Sequence, residues 1–253
     1  MIDPTTVMLR PLQQTVTEKA ASPDAVVEYL DAKVEDLICK IKAQEYWDVI
    51  TDPSANPAFL RAIMREIYLE IYSYQPHVIE ATICSIAQMP RSLDERKFKG
   101  MLLHQAEEFS HGEMALRDYV ALGGNEEYAR NHPISPASFA VSGVWWMMAH
   151  MRDPFMYLGA VYLFEGLTPL ITGIAKPHLV SQGMPANSLE YIEYHSTEDI
   201  RHANLMRHTL KEAVEQYPEA AASIKYGFDC FLYVYPLPVW ETAYQRAKSE
   251  FKL

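Results

Sequence analysis

The sequence predicts an all-α fold, a single-domain bundle of seven helices, and three observations carry that expectation. Apolar residues recur at intervals of three and four along most of the chain. Capping residues, prolines and glycines fall where the long periodic runs begin and end. No stretch alternates apolar and polar residues well enough to read as a strand. A length of 253 residues with 49% hydrophobic content suits one compact core.

The first helix opens at Ser22-Pro23-Asp24, a cap followed by proline in the first turn, which leaves 1–21 as an N-terminal extension and 22–253 as the helical domain. A second helix is expected over 57–87. The third, over 92–122, starts on the capping-box pattern Ser92-Leu93-Asp94-Glu95 and stops at Gly123-Gly124. Ser135-Pro136 begins a fourth helix ending near residue 152, and Asp153-Pro154 begins a fifth containing FMYLGAVYLFEGLTPLITGIA. A sixth starts at Asn187-Ser188 and runs to about residue 217, and the last covers roughly 218–251. The apolar stretch 155–175 approaches membrane-span length. With Glu165 in its middle and Pro169 expected to break it, the reading is a buried core helix.

Composition narrows the function classes. A net charge of −11, from 33 acidic and 22 basic residues, argues against a basic nucleic-acid face and against docking on an anionic membrane. Ten glycines, with no GxGxxG or GxxxxGK[ST], give no support to a nucleotide loop. Three widely spaced cysteines (Cys39, Cys84, Cys230) form no CxxC, and the N-terminus shows no signal peptide. The expectation is an acidic, soluble, cytoplasmic protein.

Chemistry concentrates in two matching triplets. HQAEEFSH places His104, Glu108 and His111 four and three residues apart, and HSTEDIRH repeats that spacing with His195, Asp199 and His202. On a continuous helix each triplet falls within one face, an arc of roughly 60°. Between them Glu165 stands alone in the run YLGAVYLFEGLTPL. An ionised carboxylate there costs several kcal/mol unless it is paired or ligates a cation, on the order given for buried charges. Imidazole with carboxylate suits iron, manganese or zinc, and helices offering His and acid around a bridging Glu are how a helical protein holds two metals. A charged surface face is the plain alternative for either triplet alone, and Glu107 competes with Glu108 as the inward acid. His77, His132, His150, His178 and His208 read as ordinary polar residues.

At these residues the sequence resembles the heme-oxygenase-like diiron oxidases and oxygenases, a seven-helix family related to heme oxygenase, thiaminase II and pyrroloquinoline-quinone synthase. The pattern H-x3-D-x2-H is met by His195, Asp199 and His202, the preceding-helix Glu by Glu165, and the third-helix His by His111. The family commonly has Glu where this chain has His104, and some members use an acid at the position of Glu108. Whether Glu108, His104 or both complete the first iron is open at this point. The cousins fit less well: the first histidine is His77, not on the first helix, and no cysteine sits in a recognisable nucleophile context.

The resemblance implies two Fe(II) per chain, O2 as co-substrate, and oxidation of a small amino acid or fatty acid by N-oxygenation, desaturation or oxidative C–C cleavage. A homodimer is consistent with it. A carboxylate substrate would want a cation in the cavity, and Arg65, Arg91, Arg152 and Arg207 are available; Tyr68, Tyr72 and Tyr74 are candidate lining residues. The runs 144–151 and 155–164 are core with some pocket wall. Two rivals stand beside this reading. A ferritin-like iron handler would use Glu70, Glu108-x2-His111, Glu165 and Asp199-x2-His202. A non-catalytic interaction protein would carry a vestigial site.

Overall fold

The computed structural model describes residues 21–252 apart from Arg91, Arg152 and Glu198, and apart from the side chains of Asp199 and Ile200. Among the described residues every regular element is helical.

Helix α1 (Pro23–Lys42) starts as the sequence predicts, with the Ser22 hydroxyl accepting the Ala25 N–H at 3.2 Å. It buries Val26, Leu30, Val34, Leu37 and Ile41, one helical stripe. The short α2 (Glu45–Thr51) follows, too brief for periodicity to reveal. Asn56 caps α3 (Pro57–Ile86) through the Ala58 N–H, 2.9 Å away.

The expected third helix is two: α4 (Glu95–Glu108) and α5 (His111–Ala121), parted at Phe109-Ser110. A short α6 (Glu126–Asn131) precedes α7 (Pro136–His150), and α8 (Met156–Ser181) comes next. The sixth divides into a 3-10 turn at Ala186–Ser188, α9 (Glu190–His195) and α10 (Asp199–Gln216). The last becomes α11 (Ala220–Val234) and α12 (Leu237–Glu250). Pro236 explains that final division: it lacks an N–H, and Tyr235 before it is extended, at φ −142° and ψ 144°. The count of seven is therefore not kept, because interruptions of two or three residues leave the apolar period almost undisturbed.

Pro169 does not break α8, contrary to expectation. Pro169 and Pro177 each remove one backbone N–H. The Thr168 and Thr172 hydroxyls donate to the carbonyls of Phe164 and Thr168, both at 2.7 Å, and neighbouring helices hold the axis. Among the described helices only α8 is long and apolar enough to cross a membrane, and 67% of its most apolar stretch is buried inside the protein. It packs on α11, α10 and α1, while α3 packs on α5, α7 and α12.

The α8–α11 crossing is the closest. A Cβ on Gly159 would lie 2.0 Å from the Ile224 carbonyl oxygen, and one on Gly227 2.0 Å from that of Met156, so only hydrogens fit. This pins α8, with Glu165 six residues further on, against the rest of the bundle.

Candidate metal centre

Both breaks fall inside the triplets, so neither triplet is one stripe of a continuous helix. His104 and Glu108 lie in the last turns of α4 and His111 opens α5; His195 ends α9, while Asp199 and His202 lie at the start of α10. The second break has a local cause. Ser196 and Thr197 donate their hydroxyls to the carbonyls of Glu193 (2.8 Å) and Tyr194 (3.0 Å), satisfying the end of α9 from its own side chains.

Seven residues of unbroken helix span about 10.5 Å along the axis, too far for both histidines of a triplet to share one ion. Instead each broken helix gives one histidine to each of two groups. His104 and His202, ring centroids 4.4 Å apart, join Glu108 and Glu165; His111 and His195, 4.6 Å apart, join Glu108. Within each group one donor atom per residue lies within 4.8 Å of the others. Glu108 belongs to both groups. The sequence points to Glu165 as the bridging acid, and in the structure it belongs to the first group only. The Asp199 side chain lies outside the described residues.

Glu165 Oε1 lies 3.1 Å from His104 Nε2, and its Oε2, without a hydrogen bond among the described residues, lies 3.5 Å from His202 Nδ1. Burial alone would raise its pKa, but the His104 and His202 imidazoles pull it down to about 2. Glu108 Oε1 is 3.6 Å from both His104 Nε2 and His202 Nδ1, and its Oε2 is 2.7 Å from His111 Nδ1. His195 donates from Nδ1 to the Tyr191 carbonyl at 2.6 Å, which leaves the Nε2 lone pair facing His111 Nδ1, 3.1 Å away. Burial, with His111 beside it, lowers the His195 pKa to about 4, so it is neutral at pH 7.

Glu107 is the outer acid of its pair. Its Oε2 lies 2.9 Å from His202 Nε2 and accepts from Arg201 Nη2 at 2.6 Å, while Glu108 faces the remaining donors. Six donor side chains, mostly buried, four imidazoles and two carboxylates with their nitrogens and oxygens turned toward one another, fit a pair of cations of the iron type.

Residues the other readings need lie elsewhere. Glu70, required by the ferritin-like set, is fully buried but pairs with Arg246 Nη1 at 2.6 Å and accepts the Ser135 and Ser138 hydroxyls, both at 2.5 Å. His77, His132, His150, His178 and His208 join neither group.

A small cavity of about 30 Å³ adjoins the donors, walled by Gln75, Thr82, Trp145, Val161, Phe164, Thr168 and Tyr191. Only Trp145, Val161 and Phe164 come from the two apolar runs; apart from the donors, the other wall residues are Gln75, Val78, Ile79 and Thr82 of α3, Gln105 of α4, Thr168 of α8 and Tyr191 of α9. Tyr68 donates instead to the Ser188 carbonyl, Tyr72 contacts Arg130, and Tyr74 stacks behind Phe164 at 6.3 Å. No Lys or Arg is among the described wall residues. Arg65 pairs with Glu66 and Glu250, and Arg207 with Asp31; Arg91 and Arg152 lie outside the described residues.

A family model described as iron-containing redox enzyme matches residues 73–235, which hold every candidate donor. The chain belongs to this family. An iron-containing redox enzyme is what the donor set suits. The chain is 22% identical, over 202 residues, to a 4-aminobenzoate synthase of Chlamydia pneumoniae, covering 77% of this chain and 85% of that protein. Two solved structures share the fold, and the first is described as heme-oxygenase-like. One, a domain of unknown function with that fold from Shewanella denitrificans, superposes at TM-score 0.75 with 20% identity over 88% of this chain and 93% of its own. A TenA homologue from Pseudomonas syringae pv. tomato gives 0.65 with 13% identity over 90% and 98%.

Sequence reading missed the residues that touch the candidate donors from outside. Tyr191 lies four before His195, so its carbonyl falls in reach of that ring, a signal available from spacing alone. Gln105, whose Nε2 is 3.0 Å from His104 Nδ1, and Gln75, 3.5 Å from Glu108, have no such signature.

Proposed function

We propose that the protein is an O2-dependent non-heme diiron oxidase or oxygenase acting on a small organic molecule in the cytoplasm. One observation carries the reading: a single carboxylate, Glu108, is shared by two His-containing donor groups. His104, Glu108, Glu165 and His202 would hold one Fe(II), and Glu108, His111, His195 and Asp199 the other. Bound there, two ferrous ions supply the electrons that reduce O2.

The chain's own part is positioning. Hydrogen bonding of His195 Nδ1 to the Tyr191 carbonyl and of His202 Nε2 to Glu107 fixes which ring nitrogen faces the centre. Ionised Glu165 offsets cation charge where water is excluded. Trp145, Phe164 and Tyr191 keep the cavity wall largely apolar, while the Gln75 amide and the Thr82 and Thr168 hydroxyls offer polar contacts for orienting a substrate. A volume of about 30 Å³ admits one or two molecules the size of water or O2, so a larger substrate enters by displacing wall side chains. With no Lys or Arg among its described residues, the wall favours an uncharged or aromatic group over a carboxylate held by a cation. Formation of 4-aminobenzoate, the activity named for the Chlamydia relative, belongs among the reactions assayed, with amino-acid and fatty-acid oxidation.

The test is anaerobic reconstitution with Fe(II), an iron count per chain, and then exposure to air with candidate substrates while visible absorbance is followed. About two irons and a substrate-dependent transient support the proposal. Many irons per chain without organic turnover would favour iron handling, and no iron bound by the native protein would sink the reading.

A further inference from the structure

Three residues of the cavity wall carry a buried polar atom without a hydrogen-bond partner among the described residues: Thr82 Oγ1, Gln105 Oε1 and Trp145 Nε1. They come from three different helices, α3, α4 and α7, and are 1%, 5% and 0% exposed. A polar group buried without a partner costs stability, so each one in a native fold calls for a reason. Gln105 Nε2 lies 3.0 Å from His104 Nδ1, which leaves Oε1 as the free end of the amide. A group bound to that oxygen sits about one side chain from the candidate donors.

Two comparisons within the chain set these atoms apart from ordinary core. Thr51, Thr168, Thr172, Thr209 and Thr242 each donate their hydroxyl to the carbonyl four residues back, at 2.7 to 3.0 Å. Thr82, equally helical, makes no such bond. Trp145 packs against Phe164 and Phe231, with ring centroids 5.8 and 5.4 Å away, so phenylalanine suits the same core. Ring packing accounts for the aromatic body of Trp145 and not for its N–H.

We propose that Thr82, Gln105 and Trp145 are the specificity-determining residues of this cavity, and that they select a substrate whose polar end is an uncharged carboxamide or hydroxyl on an apolar body. The proposal rests on the reading of the cavity as the substrate site of a diiron oxidase. An indole N–H can only donate, an amide oxygen can only accept, and a hydroxyl does either. A carboxamide or hydroxyl brings both an acceptor and a donor, and so meets all three. A carboxylate has no proton for Gln105 Oε1 and would stand beside Glu108 and Glu165, which wall the same cavity. An ammonium group has no lone pair for the Trp145 N–H. A hydrocarbon leaves all three unpaired, and a site built to hydrogen-bond its ligand rejects such an analogue strongly. Val78, Ile79, Val161 and Phe164 receive the apolar body.

The test is binding of four probes of similar shape to the metal-free protein, read by ligand-observed NMR: benzamide, benzyl alcohol, benzoate and toluene. Benzamide and benzyl alcohol should bind at least tenfold more tightly than benzoate or toluene. Trp145→Phe and Thr82→Val remove a polar atom with little change of shape. Each should weaken benzamide binding about fivefold or more, as for one neutral hydrogen bond, and leave toluene binding within about twofold. Should either variant fail to fold by circular dichroism, the other variant and the ranking in the native protein decide. Benzoate or toluene binding as tightly as benzamide, benzamide affinity unaltered by both changes, or no binding of any probe overturns the proposal. Two bound irons with O2 consumption driven only by charged amino or fatty acids would overturn it while leaving the diiron reading intact. Absence of bound iron would sink the diiron reading, and the metal-free affinities then decide what the cavity selects.

Discussion

Glu70 on α3 and Glu165 on α8 are carboxylates of nearly equal burial, and the protein treats them in opposite ways. Around Glu70 it supplies a permanent cation, Arg246, and two serine hydroxyls. Around Glu165 it places imidazoles, whose charge is optional. Each carboxylate keeps one oxygen without a hydrogen bond among the described residues, Glu70 Oε1 and Glu165 Oε2. The difference lies in the partner: a fixed guanidinium charge beside Glu70, and beside Glu165 ring nitrogens able to ligate a cation. Burial of an acid is therefore no sign of a metal site by itself; the sign is burial among partners that can become ligands.

The largest way to break this contrast is Arg246→Met. It leaves Glu70 buried without its cation and should lower unfolding stability by about 3 kcal/mol, as for one member of a buried pair removed. Iron stoichiometry in the folded fraction should not change, which chelator titration would check. Glu165→Ala should do the reverse: Fe(II) affinity, measured by competition with a chelator, falls at least about a hundredfold, more than outer-shell changes cause. Denaturant unfolding of the metal-free variant should show no loss comparable to that of Arg246→Met.

Acid titration sharpens the comparison further. Burial first, then His111, holds the folded His195 pKa down to about 4 from an ordinary 6.5, so the unfolded chain takes up a proton that the folded chain refuses. Metal-free stability should thus fall as pH drops from about 6.5 toward 4, by on the order of 3 kcal/mol for this group. Its counterpart Glu165 contributes stability present above the ordinary carboxylate range and lost as pH falls toward about 2. Replacing His195 by Gln should flatten the upper part of the curve. The smallest effect is expected for Glu107→Gln, which weakens the partner of His202 Nε2 and should reduce Fe(II) affinity about tenfold, with the fold unchanged by circular dichroism.

How much of this was legible in the sequence differs between fold and site. The helix starts at Ser22 and Ser135-Pro136 were readable because caps are local chemistry. Interruptions at Phe109-Ser110 and Ser196-Thr197 were not, since they keep the apolar period, and the second is fixed by a few local hydrogen bonds. That omission matters at the site. A continuous helix gives two parallel stripes, whereas the broken ones give two crossed pairs, His104 with His202 and His111 with His195, and make Glu108 the shared acid. Residue type and spacing carry the candidate donors that the structure brings together. Which acid belongs to both groups is not carried by spacing, because partnership across helices depends on where each helix stops. The choice between Glu107 and Glu108 was likewise a matter of one 100° step, decided by Arg201 waiting on the outer side.

The glycine crossing of α8 and α11 gives the centre an unexpected fulcrum. Gly159 lies six residues, about 9 Å along the axis, from Glu165. A methyl group wedged against the Ile224 carbonyl would tilt the whole post on which Glu165 stands, while His104 and His202 stay on helices that do not share that pivot. Donor spacing would then change without any donor being altered. Metal selectivity in this protein can therefore drift, in evolution or by design, through two hydrogens at a place that holds no metal chemistry at all.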